Sequence, residues 1–105
     1  MLESIYSACL AHLLNLRGIE FCLESELPVN YKGTRIAANL RADLIVEKEL
    51  IVELKCVARV ESVHKAQLLS YLRMGCMSRG LLINFNVALL RDGVFRVANN
   101  YVQNS

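Results

Sequence analysis

At 105 residues the chain is long enough for one hydrophobic core and too short for two, so a single domain spanning residues 1–105 is expected. Hydrophobic residues make up 54% and charged residues 21%, which excludes a disordered tail, and one Pro with five Gly excludes a collagen-like or linker-like chain. Twelve Lys plus Arg against ten Asp plus Glu leave a net charge of +2, short of a domain that coats nucleic acid by bulk charge.

Leu2 to Arg17 reads as a helix. Leu2, Ile5, Tyr6, Cys9, Leu13 and Leu16 recur at helical spacing, and Gly18 suits the C-terminal cap. The period then changes to two: Ile19, Phe21 and Leu23 alternate with Glu20, Cys22 and Glu24, the pattern of a strand. Pro28 marks an edge or bend, Lys32-Gly33 a turn, and Arg35 opens another extended segment. Arg41–Val46 and Leu50–Val57 are strands joined as a hairpin by residues 47–49. Ser62 to Met77 is a second helix with Glu61 at its acidic start. Gly80–Phe85 has the profile of a strand covered on both faces, and Leu89–Val97, with Asp92-Gly93 at its centre, predicts a small terminal hairpin. The longest near-apolar run, Gly80 to Leu90, is too short to cross a bilayer. No basic stretch leads into an apolar one at the start, so no signal peptide and a cytoplasmic protein are expected. Cys9, Cys22, Cys56 and Cys76 form no CxxC and sit in apolar periodic stretches, which predicts buried free thiols rather than a zinc site or disulfide frame.

The charges within the central hairpin set a puzzle. If residues 47–49 form its connection, paired positions sum to 96, and Asp43 stands opposite Glu53, with Lys55 two residues on. Facing carboxylates destabilise a sheet, and a divalent cation held by carboxylate and carbonyl oxygens relieves them. A solvated hairpin face neutralised by Lys55 is the plainer explanation of the same pattern. On the second helix His64, Gln67 and Tyr71 fall on one stripe beside apolar residues, either packed and satisfied or turned to a cleft. Glu3 lies on the shoulder of the first helix with Ser7, Leu10 and Leu14; its place in the first turn also suits the helix dipole.

Asp43 followed by Glu53-Leu54-Lys55 resembles the D…(D/E)xK motif of the PD-(D/E)xK nuclease superfamily, and Gln67 to Tyr71 resembles the QxxxY motif of several of its branches. More closely, the chain is similar to the small GxxExxY proteins. The similarity runs through Leu2–Tyr6, Tyr31–Gly33, Arg41–Leu44, Ile51–Lys55, Val63–Tyr71 and Gly80–Phe85, most of the chain, although that family's first glycine would stand just before Met1. The resemblance implies an α/β, restriction-endonuclease-like αβββαβ core, with a mixed central sheet flanked by helices. It also implies a metal-dependent nuclease. Asp43, Glu53, the Leu54 carbonyl and Glu3 would hold Mg²⁺, or Mn²⁺. Lys55 and Gln67 would complete the catalytic set, and Tyr71, His64, Arg41 and Lys65 would meet the substrate. Nucleic acid, DNA before RNA, is the implied partner, no membrane is, and a homodimer would help so small a domain cover it. A non-catalytic nucleic-acid-binding or protein-interaction module on the same fold is the competing reading.

Overall fold

The computed structural model describes residues 2–99, apart from the side chains of Ala37 and Ala38. Its elements are α1 (Leu2–Leu16), β1 (Phe21–Tyr31), β2 (Thr34–Val46), β3 (Leu50–Lys55), α2 (Ser62–Met74), β4 (Arg79–Asn84) and β5 (Val94–Ala98). One sheet carries the strands in the order β1-β2-β3-β4-β5. β1, β2 and β3 pair antiparallel, β4 lies parallel to β3, and β5 closes the far edge antiparallel to β4. A parallel neighbour needs a crossover, and α2 supplies it.

The sheet is covered on both faces. Leu10 and Leu14 of α1 pack on Leu44, Val52 and Leu54, and Leu68 and Leu72 of α2 pack on Ala42, Ile45, Ile51 and Leu82. The strands between two helices are thus the apolar ones, as the sequence of β4 predicts. At the free edge β1 takes Pro28, where the β1–β2 register shifts between Pro28 and Val29. Lys32 (φ 52°) and Gly33 (φ 78°) form the two-residue turn that closes this hairpin, both in the left-handed region such turns require.

Four sequence expectations are corrected. The apolar row of α1 does not all face the core: Leu2, Ile5, Leu13 and Leu16 are 52%, 58%, 46% and 70% exposed. The helix is apolar around more than half its circumference, and Tyr6, Leu10 and Leu14 supply the face that packs. α2 ends at Met74, short of Met77, because Cys76 turns left-handed (φ 58°) and Met77 N–H returns to the Leu72 carbonyl at 2.9 Å. The hairpin expected over Leu89–Val97 is absent: Leu90–Gly93 is one turn of 3-10 helix, and among the described residues β5 alone follows it. Gly93 packs against the Asn84 backbone so closely that a Cβ would collide with that carbonyl. Of the four unpaired cysteines, Cys9, Cys22 and Cys76 are exposed and Cys56 half-buried, rather than all buried.

Candidate metal and phosphodiester site

The central hairpin has the expected register. Leu44 pairs with Val52, Ile45 with Ile51 and Val46 with Leu50. The next step brings Asp43 level with Glu53, and there side chains replace the backbone ladder. The Asp43 amide donates to Glu53 Oε2 at 3.0 Å, and the Leu54 amide donates to Asp43 Oδ2 at 2.8 Å. Each acid is therefore fixed by the other's strand, with its second oxygen outside these bonds. The amide and carbonyl of one strand residue point to the same edge, so the Leu54 carbonyl also faces this gap. The neighbouring Lys55 carbonyl points the other way, accepting from Phe85 N–H at 3.0 Å.

Simple alternation would put Asp43 on the same face as Ile45. It does not hold here. Leu44 lies beneath α1 and Ala42 beneath α2, although they are two residues apart. On β1 the same reversal separates Phe21 from Leu27, and Glu24, facing this point, has φ 45°. The strand pair turns over at Glu24 and Asp43 without changing its register on either side. Asp43 thereby lines a cavity of about 370 Å³ on the α1 side, with Glu3, Ser4, Ser7, Ala8, Leu23, Glu24 and Leu54. Glu3, Ser7, Leu10 and Leu14 share the inward face of α1, as their spacing predicts, and the stack of Tyr6 on Phe85, centroids 4.3 Å apart, anchors that end of the helix.

Burial raises the Glu53 carboxyl from 4.5 to about 7. The Asp43 amide opposes the rise, the Asp43 charge adds to it, and the Lys55 charge opposes it. A carboxylate so poorly solvated, a second one beside it and a carbonyl at the same gap are hard oxygen donors, a set that suits Mg²⁺ or Mn²⁺. Among the described residues no three His, Cys, Asp or Glu side chains gather into a ready cluster, so Glu3 borders the cavity without closing on the other two acids. Mg²⁺ keeps several waters and binds through one or two carboxylates, which Asp43 and Glu53 can supply.

The remaining candidates each have partners of their own. Gln67 is exposed and donates to the Tyr71 hydroxyl at 3.2 Å, and Tyr71 packs on the α2 side of the core. Among the described residues no hydrogen bond or ion pair joins that couple to Asp43, Glu53 or Lys55. His64 Nδ1 accepts the Glu61 amide at 2.9 Å, so it caps the start of α2. Arg41 is bridged to Glu24 at 3.5 Å and Glu26 at 3.7 Å. Lys65 lies over the Phe95 ring, 4.6 Å from its centroid, in a groove shared with Arg91 and Arg96. Two features escaped the sequence reading. Glu24 borders the cavity, which its place in an alternating strand does not reveal. Asn84, 3% exposed, bonds both the amide and the carbonyl of Val57 at 3.0 Å and locks the loop leaving β3. An Asn ending an otherwise apolar strand was the only signal for it.

The solved structure of the protein SSO0001 is similar in fold, with a TM-score of 0.68 and 22% identity over 93% of this chain and 50% of that one. An alkaline exonuclease from Laribacter hongkongensis superposes with a TM-score of 0.62 and 12% identity over 92% of this chain and 56% of that one. The chain thus spans about half the length of each. No curated protein matches it. The architecture is that of the restriction-endonuclease-like α/β fold. A family model of the PD-(D/E)XK nuclease superfamily matches residues 1–97, and the chain belongs to that superfamily.

Proposed function

We propose that the chain is a metal-dependent nuclease that hydrolyses phosphodiester bonds, with DNA as the favoured substrate, and that it acts in the cytoplasm. The observation that carries this is the gap between β2 and β3, where the Glu53 carboxylate accepts from the Asp43 amide and the Asp43 carboxylate from the Leu54 amide, beside the cavity bordered by Glu3. Within the superfamily we place it with the GxxExxY proteins. The spacing of Glu3 and Tyr6 supports this: the Glu borders the cavity and the Tyr pins the helix that carries it.

In this reading Asp43, Glu53 and the Leu54 carbonyl would hold Mg²⁺ or Mn²⁺, and Glu3 would add a direct or water-mediated carboxylate. The bound ion supplies Lewis-acid polarisation of a phosphoryl oxygen and a water of lowered pKa. Lys55, half-buried on β3 and near enough to bias Glu53, orients the attacking water or offsets charge at phosphorus. Gln67 and Tyr71, joined by a hydrogen bond, are assigned a supporting role at the substrate backbone, together with His64. Lys65, held over the Phe95 ring, offers a cation to phosphate, whereas Arg41 must first leave two glutamates.

The test is cleavage of single- and double-stranded DNA and RNA with Mg²⁺ and with Mn²⁺, beside Asp43→Ala. Metal-dependent cleavage by the parent, lost in the variant, is expected. Binding without cleavage by both proteins would instead establish the non-catalytic module.

A further inference from the structure

We propose that Lys65, Arg91 and Arg96, set around Phe95 at the β5 edge of the sheet, form a second phosphate site, which holds the nucleic-acid strand to one side of the bond at Asp43 and Glu53. The chemistry of that ligand rests on the nuclease reading; the geometry of the groove does not.

The near-neutral charge of the whole chain hides a polarity. Nine of its ten Asp and Glu lie at or before Glu61, and from Ser62 onward five Lys or Arg stand against Asp92 alone, a balance of +4. Three of those five, Lys65, Arg91 and Arg96, line one groove of about 670 Å³ with Val94 and Phe95, and no acid lines it. All three are exposed. Among the described residues none of them has an ion-pair partner, whereas Arg41 and Arg79 are both bridged to glutamates. Glu61, one turn before Lys65, and Asp92, next to Arg91, are the nearest acids in the sequence, and neither is paired with these cations. Like charges gathered without a counter-charge repel, and a polyanion relieves that repulsion. The Lys65 ammonium is held over the face of Phe95, 4.6 Å from the ring centroid, and Phe95 is itself packed on the α2 side of the core. An ammonium placed in advance gives up less freedom when an anion arrives. Two guanidinium forks beside it match phosphate oxygens in geometry as well as in charge.

The strand register fixes where the groove stands relative to the acids. Glu53 pairs with Leu82 and Leu82 with Phe95; Leu54 pairs with Ile83 and Ile83 with Val94. The groove is thus level with the Asp43–Glu53 gap along the strands and two strand spacings from β3 across the sheet, roughly 10 Å. Both lie toward the carboxyl ends of the parallel strands β3 and β4, the end at which open α/β sheets take their ligands. A nucleic-acid strand crossing the sheet at that end meets both. An acidic peptide would satisfy the charge of the groove, but not its alignment with a phosphodiester site.

Fluorescence anisotropy of a labelled single-stranded oligothymidylate, in EDTA so that no metal-dependent cleavage intervenes, reads binding across a salt series. Each phosphate contact on a single strand contributes about 0.7 to the slope of log affinity against log salt. Arg91→Gln, Arg96→Gln and Lys65→Gln should each lower the parent's slope by about 0.7 and weaken binding about fivefold at ~0.1 M salt. Lys32→Gln is the matched control. It removes a cation that also rests over an aromatic ring, 5.4 Å from the Tyr31 centroid, but beside the opposite edge strand, and it should leave the slope unchanged. The replaced residues are exposed, and circular dichroism checks that each variant keeps its fold. A parent that does not bind the strand overturns the proposal, as do parental slopes in both arginine variants or an equal loss in Lys32→Gln. So does polyglutamate that displaces the labelled strand as well as unlabelled strand does, since the groove would then be an acidic-peptide site. Cleavage with Mg²⁺ is read separately. Cleavage by the parent with unaltered binding in the arginine variants refutes the groove alone, and the expected slopes without cleavage refute the catalytic reading alone.

Discussion

Replacing Glu53 by Gln isolates the cost of burying that carboxylate beside Asp43. The folded protein holds the Glu53 proton up to about pH 7, whereas the unfolded chain releases it near 4.5. Between those values the native state binds more protons, so stability falls as pH rises through the window and is flat above it. The shift corresponds to about 3 kcal/mol at 1.36 kcal/mol per unit, and partial contact with water reduces this to about 2–3 kcal/mol. Gln keeps an oxygen for the Asp43 amide and carries no charge. Without divalent metal, Glu53→Gln should therefore match the parent near pH 4.5 and exceed it by about 2–3 kcal/mol at pH 8, or roughly 10–20 °C in Tm for a domain of this size. The assay is urea and thermal unfolding of both proteins at half-unit pH steps, read as a difference curve so that other titrating groups cancel. Mg²⁺ should raise the parent's Tm at pH 8, progressively less as pH falls below about 7, and leave the variant nearly unmoved. A flat difference curve between pH 4.5 and 8 would refute the reasoning, because it would mean that Glu53 is not desolvated.

Asp43→Asn should weaken Mn²⁺ binding, measured by calorimetry, because an amide replaces an anionic ligand. Lys55→Met should retain the metal and lose about 10²–10³ in turnover at saturating metal if Lys55 acts on the reacting phosphate. Equal turnover by Lys55→Met and parent would remove it from the mechanism. Asn84→Ala strips the Val57 amide of its partner, while the Val57 carbonyl keeps Asn86 Nδ2 at 3.2 Å, and should cost about 1–2 kcal/mol in urea unfolding, although it touches no proposed ligand. In the native protein Cys9, Cys22 and Cys76 should react quickly with a thiol reagent at low protein concentration and Cys56 slowly, while unfolding without reductant should expose all four.

The order of elements was legible because each segment carries its own signal. The parallel strand β4 is apolar at every position between Gly80 and Ile83, and Lys32-Gly33 permits the left-handed pair a tight hairpin needs. The hairpin register was legible too, since three connecting residues leave few ways to pair Leu44 with Val52. The face of α1 was not. Two apolar stripes lie side by side on it, and helical period alone cannot say which one the sheet takes. Asp92-Gly93 misled for a different reason. It satisfies the local chemistry of a turn, but Gly93 is needed there for its close approach to Asn84, a tertiary contact with no local trace.

The candidate site shows where pattern reasoning stops. Alternation assigns Asp43 and Glu53 to one face with Lys55, and the register that sets them opposite each other holds. What alternation misses is that β1 and β2 turn over at Glu24 and Asp43. This reversal carries the Asp43 carboxylate across to the helix bearing Glu3 while Glu53 stays tied to it by a backbone bond. A flat, regularly alternating hairpin would leave Asp43 under α2 and Glu3 over an apolar surface. The local departure from the strand pattern is therefore what lets acids from two layers of the fold border one cavity, and its cost in backbone conformation falls on Glu24, whose own side chain is bridged to Arg41 at the rim.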